Sequence, residues 1–250
     1  AGAIIGLGMW VATRTAPHSA PLTDIAPPRL NIWEHYAQGI RALRRSQPFR
    51  VLLLTFFLQA LATGLMLAGA QYVATWVMKS EDAVTLLFVA LIAPALFAAP
   101  VWRAIARRTD KQAAFRFATI LFVVAVLAIS IALWLPGNWM YVPVGLAGIA
   151  YAGMQSLPMA MLPDVMSHDE RTTGTKGAGA FSGIWTAGET IGFALSATAL
   201  TTILAITQYV PSVAGQSVTQ PASAIVGVVI SFSVVPAALA ALSLVPLARY

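Results

Sequence analysis

The chain has no cysteine and few charged residues, and these two shortages exclude several kinds of protein. Without a single Cys in its 250 residues, it cannot form disulfides, thiolate metal sites or cysteine nucleophiles. Charged residues make up 10% of the chain, whereas a soluble domain carries about a quarter. Hydrophobic residues make up 58%, and the mean hydropathy is +0.77. The composition therefore predicts an all-α membrane protein rather than a soluble domain.

The charged residues are mostly basic, and their distribution predicts an orientation rather than a ligand. A net charge of +6 and a pI near 10.1 would favour nucleic-acid binding in a soluble protein. Here all of the 15 Lys and Arg residues except Lys79 fall in alternate connections between apolar segments or at the carboxy-terminal end. Because basic connections stay on the cytoplasmic side, we expect a multi-pass protein of the inner or plasma membrane, with a cytoplasmic carboxy terminus and no nucleic-acid partner.

Apolar segments long enough to cross a bilayer, which takes roughly 20 residues, follow a long polar stretch. The apolar run 1–13 is too short and is predicted to be the end of a truncated helix, so we expect a longer protein. The stretch 14–49 is predicted to be a cytoplasmic loop with an amphipathic helix at 31–45 on the membrane surface. Six spans are predicted, near 50–77, 83–102, 115–135, 140–162, 180–207 and 223–247.

This layout resembles the carboxy-terminal half of a major-facilitator carrier with its middle loop attached. Such carriers have two six-helix halves and bind their substrate between them near the midplane of the membrane. On this interpretation the run 1–13 ends the sixth helix of the carrier. The expected partners are an amino-terminal six-helix half, the lipid bilayer and a small-molecule substrate.

One carboxylate lies in the middle of the predicted fifth span. Glu189 belongs to the stretch FSGIWTAGETIGFAL, and no Lys or Arg lies in the interior of a span to neutralise it. Such a group costs about 2.5–3.5 kcal/mol near a helix centre. Glu189 is therefore protonated, faces water, or pairs with a residue of the missing half. A structural Glu bonded to neighbouring helices is the alternative.

Other polar side chains lie within the spans, where such groups usually face a bundle interior or a cavity. Bonds between helices are an equally open explanation for the Gln residues. An indole such as that of Trp185 can stack on a sugar ring. The predicted substrate and cation site comprises Glu189, Thr190, Trp185, Gln59, Thr63, Tyr151 and Gln155.

The most specific motif lies at 160–192, AMLPDVMSHDERTTGTKGAGAFSGIWTAGETIG. It resembles the glycoside–pentoside–hexuronide:cation symporter family, the melibiose permease group of the major facilitators. The matching residues are Asp164, Asp169, Glu170, Gly174, Lys176 and Gly179. Lys176 stands where the family has Arg, and Thr190 stands where it often has a Lys near the cation and sugar site.

A second segment, PVWRAIARRTDKQAAFR at 100–116, resembles the loop between the family's eighth and ninth helices. Its Trp102 fits the family pattern, while Asp110 replaces a usual Gly. The two motifs place acidic and basic residues on one membrane face, where we predict a cytoplasmic gate of ion pairs. The gate residues are Asp164, Asp169, Glu170, Lys176, Arg107, Arg108, Asp110 and Lys111. A role in topology alone stays open for these charges.

The resemblance implies a secondary active transporter that couples H⁺ or Na⁺ to symport of a sugar, glycoside or related small solute by alternating access. It implies no catalytic residue, no metal and no cofactor besides the coupling ion. A carrier of lysolipids or other amphiphiles and a non-transporting scaffold or receptor are the alternatives. An enzyme is disfavoured, since the spans contain no His, no Cys and no pair of carboxylates.

Overall fold

The computed structural model describes residues 39–41, 43–80, 82–174, 177–211 and 219–250, and these residues are mainly helical. The predicted helix end at 1–13 and most of the predicted loop 14–49 lie outside them. Of the predicted amphipathic helix 31–45, the described residues 39–41 and 43–45 are helical.

Seven α-helices account for most of the described residues, which contain no strand. The helices are α1 Gln47–Tyr72, α2 Asp82–Arg108, α3 Lys111–Ile129, α4 Tyr141–Thr173, α5 Ala178–Ile206, α6 Ala222–Phe232 and α7 Val234–Leu247. A π-helical turn, Val73–Met78, continues α1, and short 3₁₀ turns follow α3 and precede α4. The prediction of an all-α fold is confirmed.

Five helical stretches of the described chain are long and apolar enough to cross a membrane: Gln47–Met78, Asp82–Arg108, Lys111–Leu133, Ala178–Ile206 and Ala222–Leu247. Each of them contains most of a predicted span. The remaining predicted span, 140–162, falls in α4, which is not among the five. Polar residues in its middle, Tyr151, Gln155 and Ser156, lower its hydropathy.

Two helices run past the ends predicted for their spans. α2 continues to Arg108 rather than ending at 102, and α4 continues to Thr173 rather than ending at 162. Asp164, Asp169 and Glu170 therefore lie on a helix, although we predicted them in a loop. A helix continues until a residue stops it, and α4 ends only at Gly174, which adopts the left-handed conformation with φ +68°.

The last predicted span, 223–247, consists of two helices rather than one. Ser233 lies between α6 and α7 with φ −126° and ψ −72°, outside helical geometry. Pro236 follows three residues later. A proline has no N–H and its ring collides with the carbonyl four residues earlier, which here belongs to Phe232. The interruption is therefore the local effect of Pro236.

The helices pack in a row of neighbours whose order is α2, α4, α3, α7, α1 and α5. Each helix forms its largest interfaces with the helices beside it in this row. The two helices at the ends, α2 and α5, are the least buried of the five apolar spans, at 17% and 22%, against 61% for α1. The bundle thus leaves faces of α2 and α5 uncovered.

Nearly all of the described basic residues lie at one end of the bundle. This end, called the basic end below, is where α2 ends, α3 begins, α4 ends and α5 begins. The Ser46 hydroxyl caps α1 at this end by accepting from the Phe49 N–H at 3.4 Å. At the opposite end, the Trp76 indole N–H donates to the Tyr209 hydroxyl at 2.9 Å and joins α1 to the segment after α5.

Candidate functional site

Four of the predicted substrate residues line one recess between α1 and α4. Gln59 and Thr63 come from α1, and Tyr151 and Gln155 come from α4. Phe56, Ala60 and Met154 complete the lining. Gln155 donates to the Tyr151 hydroxyl at 2.9 Å, one helical turn away. The sequence predicted the four polar residues separately, and the fold brings them together.

Gln59 also joins three helices at the back of this recess. Its amide nitrogen donates to the hydroxyls of Thr119 on α3, at 3.0 Å, and Ser243 on α7, at 3.1 Å. Its amide oxygen is buried and has no hydrogen-bond partner among the described residues. Gln59 therefore bonds helices together, one of the two roles left open for the Gln residues, and retains a free acceptor in the lining of the recess.

Gln59→Leu is expected to lower the free energy of unfolding by about 1 kcal/mol, because each of its two interhelix bonds is worth about 0.6 kcal/mol. Gln155→Leu is the matched control, since Gln155 bonds only within its own helix, and it should leave stability unchanged. Denaturant unfolding of the purified variants in detergent micelles measures both values. Equal losses in the two variants would contradict the structural role given to Gln59.

Trp185 does not line the recess, but its ring packs on Phe56, which does. The two rings stack with centroids 4.3 Å apart and an interplanar angle of 22°. Trp185 is 2% exposed, and its indole N–H has no partner in the described part of the chain. Phe56, which is not among the predicted site residues, therefore separates the Trp185 indole from the recess.

Glu189 lies near the middle of α5 and is partly exposed. Its neighbour Gly188 packs on Leu53 of α1, and Gly192 packs on Ala60, so the carboxylate lies at the level of the recess. No hydrogen bond or ion pair joins Glu189 to another described residue. The next residue, Thr190, is exposed, and its hydroxyl donates to the Thr186 carbonyl at 2.8 Å. Neither residue lines the recess itself.

At the basic end, two of the predicted gate residues form an ion pair. Lys111, at the start of α3, lies 2.5 Å from the Asp164 carboxylate on α4 and also donates to the Ala160 carbonyl at 3.1 Å. Both side chains are well exposed, at 41% and 57%. Exposed pairs are worth about 0–1 kcal/mol, so this pair aligns two helix ends more than it stabilises them.

The second ion pair joins Asp169 to Arg45, a residue that the gate prediction did not include. The Arg45 guanidinium contacts both carboxylate oxygens, with the Nε to Oδ1 distance at 3.0 Å. Asp169 is 4% exposed, so its carboxylate has little contact with water and Arg45 is its ionic partner. The pair ties the residues before α1 to the end of α4. Sequence alone offers little sign of it, since 124 positions separate the partners.

Arg45→Gln is expected to lower the free energy of unfolding by about 2–3 kcal/mol, because it leaves a buried carboxylate without its charged partner. Lys111→Gln, which breaks the exposed pair, should cost about 1 kcal/mol or less. Chemical denaturation of both variants provides the comparison. A larger loss for Lys111→Gln than for Arg45→Gln would refute this ranking.

The remaining gate residues are not joined by ion pairs within the described chain. The Asp110 carboxylate caps α3, accepting from the backbone N–H groups of Gln112, at 3.1 Å, and Ala113. Arg107, Arg108 and Glu170 are exposed. Lys176 lies outside the described residues. The structure thus gives ionic partners to three predicted gate residues, Lys111, Asp164 and Asp169.

Tyr250 extends this charged surface beyond the end of α7. Burial, followed by the nearby carboxylates of Asp164 and Asp110, raises the pKa of the Tyr250 phenol above its usual value of 10.0. The phenol therefore stays neutral at physiological pH. The preceding end of α7 is fixed to α3, because the Gln112 side chain donates to the Leu247 carbonyl at 2.7 Å.

The chain has a match among known protein families. The family model described as MFS/sugar transport protein, where MFS stands for major facilitator superfamily, matches residues 1–250. No curated protein matches the chain.

Proposed function

Because the chain belongs to the MFS/sugar transport protein family of the major facilitators, we propose that it forms the carboxy-terminal half of a cation-coupled symporter. The solute is a sugar, a glycoside or a related small molecule, and the coupling ion is H⁺ or Na⁺. The proposed assignment to the glycoside–pentoside–hexuronide:cation symporters within that superfamily is supported by the motif at 160–192.

The observation that carries the proposal is the position of Glu189. This carboxylate lies in the middle of a membrane span without a hydrogen bond or ion pair to any described residue, at the level of a polar recess. An intramembrane carboxylate without a counter-ion favours a functional role, such as an ion site, over a packing role. A bound H⁺ or Na⁺ would neutralise Glu189, and the occupancy of the site would then alter the energy of each carrier conformation.

The recess supplies groups that fit the hydroxyls of a sugar. The recess has no room for a water molecule and the Gln59 amide oxygen is buried, so solute contact requires the lining helices to move apart. The Gln59 oxygen would then accept from a hydroxyl, and Gln155 and Tyr151 would exchange their mutual bond for bonds to solute. Trp185 and Phe56 form an aromatic wall behind them. Polar groups placed among apolar and aromatic side chains are typical of small-molecule sites.

A second six-helix half is the proposed partner for the uncovered face of α5. On α5, Gly179 and Gly183 are four residues apart, and a Cβ built on either would meet no described atom within 4 Å outside the local backbone of α5. Small residues at this spacing let helices approach closely. Rocking of the two halves would expose the site alternately to each side, with the ion pairs of the basic end on the cytoplasmic side of the cell membrane.

The test is solute uptake by the intact protein in proteoliposomes. A panel of labelled sugars, glycosides and lysolipids is offered with an imposed H⁺ gradient, an imposed Na⁺ gradient or neither. We expect one ion gradient to drive accumulation of a sugar or glycoside, and an ionophore to abolish it. Accumulation of lysolipid alone would replace the sugar assignment with the amphiphile carrier, and folded protein without any flux would favour a scaffold or receptor.

A further inference from the structure

An apolar groove opens on the bundle between α2, α3 and α4. It encloses about 490 Å³. Phe97, Val101 and Ile105 of α2 form one wall, Phe117 of α3 forms the other, and Ile149 of α4 lies at its base. Phe97, Val101 and Phe117 are 77%, 55% and 58% exposed. A groove with such walls suits hydrocarbon rather than a polar solute.

The groove lies on the side of α4 that faces away from the polar recess. Ile149 belongs to the groove and Tyr151 to the recess, and residues two apart on a helix point about 200° from each other. Whatever occupies the groove is therefore separate from the solute proposed above. The uncovered apolar surface on this side is suited to the acyl chains of a bilayer.

The length of the groove matches one leaflet. On α2 the lining runs from Pro94 to Ile105, a rise of about 16 Å at 1.5 Å per residue. Half of a hydrocarbon core of about 30 Å is about 15 Å. Since α2 ends at the basic end with Arg108, the groove reaches from the middle of the span to the interface on that side.

A cation stands at the interfacial end of the groove. Val101, Ile105 and Arg108 follow one another at spacings of four and three, so they lie along one stripe of α2. Arg108 is exposed and has no carboxylate partner among the described residues. Arg103, two residues after Val101, points about 200° away from the stripe. Arg108 thus lies in line with the groove, whereas Arg103 lies on the other side of α2.

We propose that this groove binds an acyl chain of an anionic phospholipid, whose phosphate is held by Arg108. The chain fills the space between Phe97 and Phe117, and the guanidinium pairs with the headgroup at the basic end. The site is independent of the transported solute and of the coupling ion. Its preference for an anionic headgroup comes from the Arg108 charge, which lies where the apolar groove meets the membrane–water interface.

Native mass spectrometry of the intact detergent-purified protein tests the headgroup contact. Phosphatidylglycerol and phosphatidylcholine with identical chains are titrated against wild type, Arg108→Gln and the matched control Arg103→Gln. A basic residue near the surface is worth about 1 kcal/mol toward anionic lipid, so Arg108→Gln should weaken the first phosphatidylglycerol site about fivefold. Phosphatidylcholine binding and Arg103→Gln should be unaffected. Equal weakening by the two arginine substitutions would overturn the proposal.

A groove-filling variant tests the apolar contact. Val101→Trp places a large ring in the groove from a position that is already 55% exposed, so the core stays intact. We expect it to remove the tightest phosphatidylglycerol site. Unchanged phosphatidylglycerol binding would overturn the proposal, and so would a change of oligomeric state without a change in lipid binding, which would assign the groove to a second copy of the protein.

Discussion

Gly148→Ala is expected to push α2 and α4 apart and to lower the free energy of unfolding by about 3 kcal/mol or more. A Cβ built on Gly148 would lie 2.0 Å from the Leu91 carbonyl oxygen of α2 and 2.8 Å from its carbonyl carbon. These atoms belong to the backbone and cannot turn aside as a side chain does. The helices must therefore separate along their whole interface, which includes the bond from the Trp102 indole to the Ile149 carbonyl at 2.7 Å.

Gly145 provides the matched control on the same face of α4. A Cβ there would lie 3.5 Å from the Ala90 carbonyl oxygen, an ordinary van der Waals distance. Gly145→Ala should therefore be tolerated, and it removes the flexibility of a glycine just as Gly148→Ala does. Unfolding of the two purified variants measures the difference. Similar stabilities would show that α2 and α4 do not approach as closely as described.

Glu189→Gln is expected to abolish gradient-driven accumulation while downhill solute exchange continues. A tenfold ion gradient stores about 1.4 kcal/mol, which supports up to about tenfold accumulation when one ion accompanies one solute. Glutamine keeps the shape of the side chain but cannot carry a negative charge. The accumulation ratio should therefore fall from as much as about 10 to about 1, because solute and ion movements become independent.

Asp82→Asn is the control for the loss of a carboxylate as such. Asp82 is exposed at the start of α2, opposite the basic end, with no ion pair to another described residue. Its substitution should leave accumulation unchanged. Uptake of labelled solute against an imposed gradient, and exchange of solute at equal concentrations, are measured for both variants. Undiminished accumulation in Glu189→Gln would show that Glu189 does not couple ion to solute and has only a packing role.

The helices were predictable from the sequence because an apolar span is a local property. Five of the six predicted spans overlap helical stretches long and apolar enough to cross a membrane, although the last of these stretches consists of two helices, α6 and α7. Most of the remaining predicted span, 140–162, lies in α4. The ends were less predictable. Hydropathy detects where a helix leaves the apolar phase, whereas the helix itself ends at a capping residue such as Gly174 or is interrupted near a proline such as Pro236.

The candidate site was only partly predictable, because its contacts join distant parts of the chain. Composition identified Gln59, Tyr151 and Gln155 as polar residues in apolar surroundings, and the fold gathers them in one recess. Nothing local indicated that Gln59 would bond to Thr119 and Ser243, or that Arg45 would pair with Asp169. Such partners depend on which helices become neighbours, which periodicity along one helix does not determine.

The most direct test of ion-coupled transport is the movement of the ion itself when solute enters. Wild-type protein is reconstituted without an imposed gradient, solute is added outside, and external pH and internal Na⁺ are recorded. The account predicts that solute entry carries H⁺ or Na⁺ inward and that Glu189→Gln abolishes this ion movement. Solute entry without ion movement in the wild type, or equal ion movement in Glu189→Gln, would contradict it.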